Sequence, residues 1–252
     1  MSGHSKWSTI KRKKGVIDAK RGQLFTKLTR EIMVAARQGG PDVEMNFRLR
    51  LAVQTARGNN MPLDNIDRAV KRGAKVGEGA EAMEETLYEG YGPGGAAVLL
   101  QAVTDNPNRT ASEVRNVFGK SGGNLGEPGC VAWNFESKGV IVVETSGDTS
   151  EELALLAIDA GAEEFDLEAE QLEVTTTPDT FEEVRRQLEG AGASVVRAEV
   201  SMVPKSTVAL DSKKATQALR LLDKLEELDD VLRVFTNADF PDDALEEYGN
   251  EG

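Results

Sequence analysis

Residues 139–203 read GVIVVETSGDTSEELALLAIDAGAEEFDLEAEQLEVTTTPDTFEEVRRQLEGAGASVVRAEVSMV and show the clearest order of secondary-structure signals in the chain. Residues 140–143 form a short apolar run that predicts a strand, and residues 149–152 form a capping box that starts a helix. Two strands joined by an acidic turn follow, then a helix around Val184, then a strand that alternates apolar and polar residues from Val196 onward. The segment therefore predicts the order β-α-β-β-α-β of a split-βαβ, ferredoxin-like unit.

The segments on both sides of this unit predict a second α/β domain, which the first unit interrupts. Residues 96–104 are a continuous apolar run typical of a buried strand, residues 110–113 (TASE) form a capping box, and residues 130–135 predict another strand. After the interruption, Asp211 caps a helix and residues 231–235 predict the last strand. A single large α+β domain is the alternative that the same pattern allows.

The first third of the chain shows helical periodicity without a strand signal. Leu24, Leu28 and Ile32 recur every four residues, and the sequence GGP at residues 39–41 ends this helix. Two shorter helices follow, and the small, polar residues 73–85 predict a linker. We therefore predict an α+β protein with an N-terminal helical domain and two ferredoxin-like α/β domains, one inserted in the other. The predicted boundaries are residues 1–78 for the basic helical domain, 79–137 and 205–245 for the middle α/β domain, and 138–204 for the inserted domain.

Charge is distributed unevenly along the chain. The net charge is −13, yet residues 1–75 carry 17 Lys and Arg against 6 Asp and Glu, and the other residues carry 13 against 37. Salt screens charges beyond about 8–10 Å, so the basic first third can act locally beside an acidic body. The asymmetry points to a polyanionic partner for the first third.

Basic residues crowd the N-terminus and recur along the predicted helices. Lysine and arginine neutralise phosphates, and the ring of Trp7 offers a surface on which an unpaired base stacks. A solvated tail is the alternative interpretation, but one sign of charge through a whole helical segment favours a nucleic-acid-binding face. The candidate nucleic-acid-binding residues are His4, Lys6, Trp7, Lys11, Arg12, Lys13, Lys14, Lys20, Arg21, Lys27, Arg30, Lys71 and Arg72.

Catalysis is hard to build from this composition. The only histidine is His4, and the only cysteine, Cys130, lies in a predicted apolar strand as a core thiol. The sequence GYGPGG at residues 90–95 matches a dinucleotide-binding pattern, but a strand follows it where that site needs a helix, so we interpret it as a tight turn. We predict a protein that is not an enzyme and has no metal or cofactor. The alternative is an enzyme that uses a loop site formed by Tyr91, Gly92, Asp105, Asn106, Asn108 and Arg109, at a strand end and a helix N-terminus.

Compartment and partners follow from the same features. The chain shows no secretion signal and no apolar run of the roughly 20 residues that cross a bilayer. A single cysteine excludes an internal disulfide, which suits the reducing cytoplasm. We expect a cytoplasmic protein, plausibly monomeric, whose partner is DNA, RNA or the ribosome and not a membrane.

Several motifs resemble those of the YebC/PmpR family. They are GHSKW at residues 3–7, DAKRG at residues 18–22, YEGYGPGG at residues 88–95 and NRT at residues 108–110. The resemblance extends over essentially the whole chain. It implies an N-terminal helical domain followed by two α/β domains, one inserted in the other, in agreement with the element order above.

The resemblance also implies a function in gene expression. Family members are described as DNA-binding transcriptional regulators, and others resemble translation factors that act on ribosomes when proline-rich segments are made. We expect a ribosome-binding or RNA-binding translation factor that relieves stalling on such segments. A DNA-binding transcriptional regulator is the alternative.

Overall fold

The computed structural model describes Trp7 and residues 18–75, 83–145, 149–168 and 170–250. An all-helical start is followed by a mixture of strands and helices. In chain order they are α1 Asp18–Gly39, α2 Phe47–Gly58, α3 Leu63–Gly73, β1 Glu84–Tyr91, β2 Ala97–Thr104, α4 Pro107–Lys120, β3 Asn124–Leu125, β4 Phe135–Glu144, α5 Thr149–Asp159, β5 Ala162–Glu168, β6 Gln171–Thr176, α6 Phe181–Gly190, β7 Ser194–Pro204, β8 Val208–Ala209, α7 Ser212–Glu226, β9 Val231–Thr236, β10 Ala238–Asp239 and α8 Asp242–Asn250.

The helices α1, α2 and α3 pack around a small apolar core. Asn46 caps α2, because its side-chain oxygen accepts a hydrogen bond from the backbone N–H of Leu49 at 3.0 Å. The α1 and α3 helices approach closely where Gly73 lies against Met33. A Cβ at Gly73 would come within 2.3 Å of the Met33 carbonyl oxygen, so only glycine fits there. The predicted helical segment is confirmed.

The inserted unit has the predicted order and the sheet of a ferredoxin-like fold. Its strands lie in the order β5-β6-β4-β7, and every neighbouring pair is antiparallel. The α5 and α6 helices pack against this sheet, with Ile141, Leu172 and Phe181 fully buried between them. Phe47 of α2 meets the edge of the Phe181 ring at a centroid distance of 6.3 Å, which joins the helical segment to this unit.

The middle sheet repeats this strand arrangement from a different starting point in the chain. Its order is β3-β1-β2-β9, again antiparallel between neighbours. β1 precedes β2, α4 and β3 in sequence, but in the sheet it lies between β2 and β3. The α7 helix leads into β9, which completes the sheet beside β2. The predicted α+β class with two ferredoxin-like sheets is therefore confirmed.

Three details of the middle sheet differ from the sequence expectations. The sequence pattern places residues 84–85 in the linker and predicts no strand before residue 96, yet β1 occupies the interior of the sheet. Residues 130–135 contain a loop and a short 3-10 turn, so Cys130 is not in a strand, and the second strand of the split unit is the two-residue β3. The α4 helix starts at Pro107 and not at the TASE capping box, because the Asn106 side chain accepts from the backbone N–H of Arg109 at 3.1 Å.

The chain passes between the two sheets along paired strands. β4 and β7 are antiparallel, and their register places Phe135 opposite Pro204. β4 crosses the predicted start of the inserted domain at residue 138, and β7 ends at its predicted end, residue 204. We keep the boundaries 1–78, 79–137 with 205–245, and 138–204 as a proposal.

Candidate nucleic-acid interface

The described structure covers only part of the predicted basic site. His4, Lys6, Lys11, Arg12, Lys13 and Lys14 lie outside the described residues, and so does the side chain of Lys20. The side chains that can be placed are those of Trp7, Arg21, Lys27, Arg30, Lys71 and Arg72.

Trp7 does not present its ring to solvent. It is 1% exposed and belongs to the apolar core of the middle domain, together with residues of α7 and α8. A base stacks only on an exposed ring face. The prediction that Trp7 stacks on an unpaired base is therefore wrong, because the ring packs in the apolar core.

Lys27 and Arg30 contact protein and not solvent alone. The Lys27 ammonium donates to the carbonyl oxygen of Glu226. The Arg30 guanidinium donates to the carbonyl of Asp229 and, at 2.8 Å, to the carboxylate of Asp230. These two cations fix α1 to the turn between α7 and β9. We therefore remove both from the proposed interface.

Asp230 is the centre of this junction and is 4% exposed. Its carboxylate accepts from Arg30 at 2.8 Å, Arg109 at 2.8 Å, Thr110 at 2.6 Å and Thr104 at 3.1 Å. Burial alone would raise the pKa of Asp230, but the hydrogen bonds from Arg109 and Thr110 and the charge of Arg30 outweigh it and lower the pKa. The ionised carboxylate thus joins the helical segment to the middle sheet.

A second ionic junction lies between α1, α2 and β1. Arg48 pairs with Glu31 at 3.0 Å and with Glu85 at 2.8 Å, and Gln101 also donates to Glu85. Burial would raise the pKa of Glu85, but the hydrogen bonds from Arg48 and Gln101 lower it to about 2. As at the Asp230 junction, the charged side chains of this cluster pair with one another across different elements of the protein.

The exposed cations of the helical segment concentrate at the C-terminal half of α3. Ile66, Ala69 and Gly73 form its buried face. The exposed basic side chains on the other face are Arg68, Lys71 and Arg72, and exposed Lys75 follows just after the helix. Arg57 at the end of α2 and Arg21 on α1 are also exposed. Arg57 was not predicted, because one isolated arginine carries no pattern that sequence could use.

The proposed loop site is not a single site. β1 and β2 are antiparallel, with Tyr91 opposite Ala97 and Glu84 opposite Thr104. Tyr91 and Gly92 therefore lie at one end of β2, and Asp105, Asn106, Asn108 and Arg109 lie beyond the other end. An eight-residue strand spans about 25 Å at about 3.3 Å per residue, too far for one small-molecule site.

Asp105, Asn106 and Arg109, which lie beyond the far end of β2, make contacts within the protein instead. Asn106 caps α4, and Arg109 pairs with Asp105 and Asp230, each at 2.8 Å. Within the described residues, no group of three His, Cys, Asp or Glu side chains is arranged to hold a metal ion. No helix among the described residues is long and apolar enough to cross a membrane.

Comparison with known proteins places this fold in a family. A family model described as "TACO1/YebC protein N-terminal domain" matches residues 5–76, and one described as "TACO1/YebC second and third domain" matches residues 83–238. A probable transcriptional regulatory protein of Dehalococcoides mccartyi is 57% identical over 251 residues, which is 100% of both chains. One from Syntrophus aciditrophicus is 54% identical over 246 residues, 98% of both chains.

A solved structure agrees with these sequence matches. The crystal structure of a conserved hypothetical protein from Aquifex aeolicus superimposes with a TM-score of 0.79 at 49% identity, covering 89% of this chain and 92% of that one. The family models together match most of the chain, and the relatives align over its full length. The chain belongs to the TACO1/YebC family.

Proposed function

We propose that this protein is a nucleic-acid-binding regulator of gene expression that is not an enzyme and binds RNA, on the ribosome, through its basic helical domain. The step that the family resemblance suggests is relief of stalling on proline-rich segments. The observation that carries the proposal is the separation of two sets of cations. Lys27, Arg30 and Arg48 are used in contacts between elements of the protein, whereas the side chains of Lys71 on α3 and of Lys75 just after it are exposed.

The α3 face supports a phosphate-binding role because its apolar side is already occupied. The helix buries Ile66 and Ala69 against its neighbours, so Lys71 and Lys75 are not needed for packing. A purely structural interpretation is that basic residues at a helix C-terminus interact favourably with the helix dipole. This interaction stabilises the helix by only about 0.3–1 kcal/mol. That effect does not account for the further basic cluster that the sequence places at residues 4–21.

The position of acids on α3 favours RNA over duplex DNA. The α2 and α3 helices are joined by four residues, a spacing compatible with a helix-turn-helix. In that motif the N-terminal residues of the second helix enter the major groove. Here that end carries exposed Asp64 and Asp67, which phosphates repel. Sequence-specific insertion of α3 into duplex DNA is therefore disfavoured, and the cations at its other end suit the dense phosphates of folded RNA.

A DNA-binding transcriptional regulator is the second candidate. The relatives from Dehalococcoides mccartyi and Syntrophus aciditrophicus carry the name of a probable transcriptional regulatory protein. Phosphate contacts through the same cations would serve DNA as well as RNA, so the two candidates differ in base readout and not in charge.

Charge reversal on α3 tests the proposal. We expect Lys71→Glu with Lys75→Glu to weaken binding to a ribosomal RNA fragment and to lower the slope of log K against log salt by about 1.5, at about 0.7–0.9 per lost phosphate contact. The matched control reverses Arg115 and Lys224, two exposed cations on α4 and α7. This control should lose affinity through net charge alone, with a smaller change in slope.

The opposite result would count against the proposal. If the α3 variant keeps the wild-type slope while the Arg115 and Lys224 variant loses it, the polyanion binds the middle domain and not the helical one. Measured in parallel, a promoter duplex that binds more tightly than RNA at equal salt would favour the transcriptional candidate.

A further inference from the structure

Two exposed aromatic side chains share one hydrogen-bond acceptor at the turn end of the β1–β2 hairpin. The Tyr91 hydroxyl and the Trp133 indole N–H each donate to the carbonyl oxygen of Cys130 at 2.9 Å. Tyr91 is 41% exposed and Trp133 is 66% exposed. The polar atom of each ring is therefore satisfied inside the protein, and the exposed part of each ring is mainly its apolar surface.

The loop that carries Cys130 is held by a buried carboxylate. Glu89 is 5% exposed and accepts from the backbone N–H groups of Gly129, Val131 and Ala132 at 2.7, 2.8 and 2.7 Å. Burial would raise the pKa of Glu89, but these three hydrogen bonds lower it, so the group stays charged. An ionised acceptor with three donors fixes the loop, and with it the oxygen that orients both rings.

Close packing at two glycines also fixes the backbone beside Tyr91 and Cys130. A Cβ at Gly123 would lie 2.7 Å from the carbonyl oxygen of Tyr91, and one at Gly126 would lie 2.5 Å from the sulfur of Cys130. The rings are thus mounted on a tightly packed loop, and ordering them on binding has a small entropic cost.

The surroundings of the pair fit a nucleic acid better than a protein surface. Between β3 and Trp133 the exposed residues are Glu127, Pro128 and Gly129, of which only Pro128 is apolar, so the rings are not part of a wide apolar patch. The Cβ of Lys214 on α7 lies 3.5 Å from the position that a Cβ at Gly94 would take in the turn after Tyr91. Lys214 is exposed, and the described structure gives it no ion pair. Exposed aromatic ring faces are the surfaces on which proteins stack the bases of single-stranded nucleic acid.

We propose that Tyr91 and Trp133 form a stacking site for an unpaired base of single-stranded RNA, separate from the basic face of α3. The inference rests on the proposed function in so far as the chain binds RNA. The two rings lie in the middle domain, while Lys27, Arg30 and Arg37 dock the helical segment near the opposite end of the β1–β2 hairpin. A single strand would therefore be held by its phosphates at one place and by a base at the other.

Fluorescence of Trp133 gives a direct readout, because the chain has only two tryptophans and Trp7 is buried. The probe is a 12-residue oligoadenylate, and its control is an abasic oligonucleotide of the same length, which keeps the phosphates and lacks the bases. We expect oligoadenylate to quench the wild-type protein and the abasic strand not to. Trp133→Phe, whose remaining emission comes from Trp7, should show no quenching.

Affinity separates stacking from a structural effect. Trp133→Ala should weaken oligoadenylate binding about 10-fold, because a stacked base contributes about 5- to 150-fold by alanine substitution. Trp133→Phe, which keeps a ring, should recover most of this loss. Neither variant should change the affinity for the abasic strand. Since Trp133 is largely exposed, both should fold, which far-UV circular dichroism checks.

Each outcome distinguishes this inference from the proposed function. Salt-dependent binding without Trp133 quenching, together with unchanged affinity in Trp133→Ala, overturns the stacking site and leaves the basic face intact. Quenching that persists while Lys71→Glu with Lys75→Glu changes neither affinity nor salt slope overturns the basic face and supports the stacking site. No binding of either strand at low salt overturns both.

Discussion

Replacing Asp230 by asparagine should weaken the junction between the helical segment and the middle domain. The carboxylate accepts four hydrogen bonds, two of them from the guanidinium groups of Arg30 and Arg109. Asparagine has a similar shape, but it has no charge and turns an N–H₂ group toward one of its former donors. The substitution therefore leaves the Arg30 guanidinium, whose side chain is 17% exposed, without its anionic partner.

The expected loss of unfolding free energy is about 3 kcal/mol. Removing one partner of a buried ion pair costs about 3–5 kcal/mol. The lower end applies, because Arg109 is half exposed and still pairs with Asp105. The matched control is Asp229→Asn, which removes the same charge from the neighbouring exposed side chain and should cost less than about 0.5 kcal/mol.

Urea unfolding at several pH values measures the loss of unfolding free energy in both variants and how it depends on pH. Because the pKa of Asp230 is lowered in the folded state, its contribution is fully present above the unfolded pKa of about 4 and is lost as the pH falls through the folded value. The difference between wild type and Asp230→Asn should therefore shrink in acid. Equal losses in Asp229→Asn and Asp230→Asn at pH 7, or a difference that does not change with pH, would refute this reasoning.

Two further substitutions test the packing of the helices and of the aromatic loop. Gly73→Ala should destabilise the protein by about 2 kcal/mol, because its Cβ would meet the backbone of Met33, whereas Gly58→Ala, with open space around it, should be neutral or stabilising in the same thermal-unfolding assay. A neutral Gly73→Ala would contradict the observed helix contact. Glu89→Gln should make the Cys130 thiol react several-fold faster with an aromatic disulfide reagent. Burial and the negative charge of Glu89 both raise the pKa of this thiol, and the substitution removes the charge. An unchanged rate would show that the charge of Glu89 does not control this thiol.

Local signals explain what sequence predicts well in this fold. In residues 139–203, strands, caps and helix faces are all marked by neighbours in sequence, so the order of the inserted unit is predicted correctly. β1 was missed because it carries Glu84, Glu85 and Glu89, and the buried position of Glu89 depends on loop N–H groups about 40 residues away. The start of α4 did have a local signal, Asn106 followed by Pro107, which the TASE motif obscured.

The site was predicted less completely for a related reason. Lys27 and Arg30 have the same spacing and charge as exposed cations, and only contacts with residues 199 and 200 positions away in the chain show that they join elements. Trp7 likewise looked like part of a basic tail, and its burial depends on α7 and α8 at the other end of the sequence. Charge pattern predicts the sign of a surface, but tertiary contacts determine which charges are left on it.

Co-sedimentation with ribosomes tests the central claim most directly. At physiological ionic strength, about 0.15 M, the full chain should pellet with purified ribosomes, and the Lys71→Glu with Lys75→Glu variant should pellet less than the variant that reverses Arg115 and Lys224. In the same buffer the protein should give no sharp footprint on promoter DNA. A sequence-specific footprint without ribosome association would contradict the account and favour the transcriptional regulator.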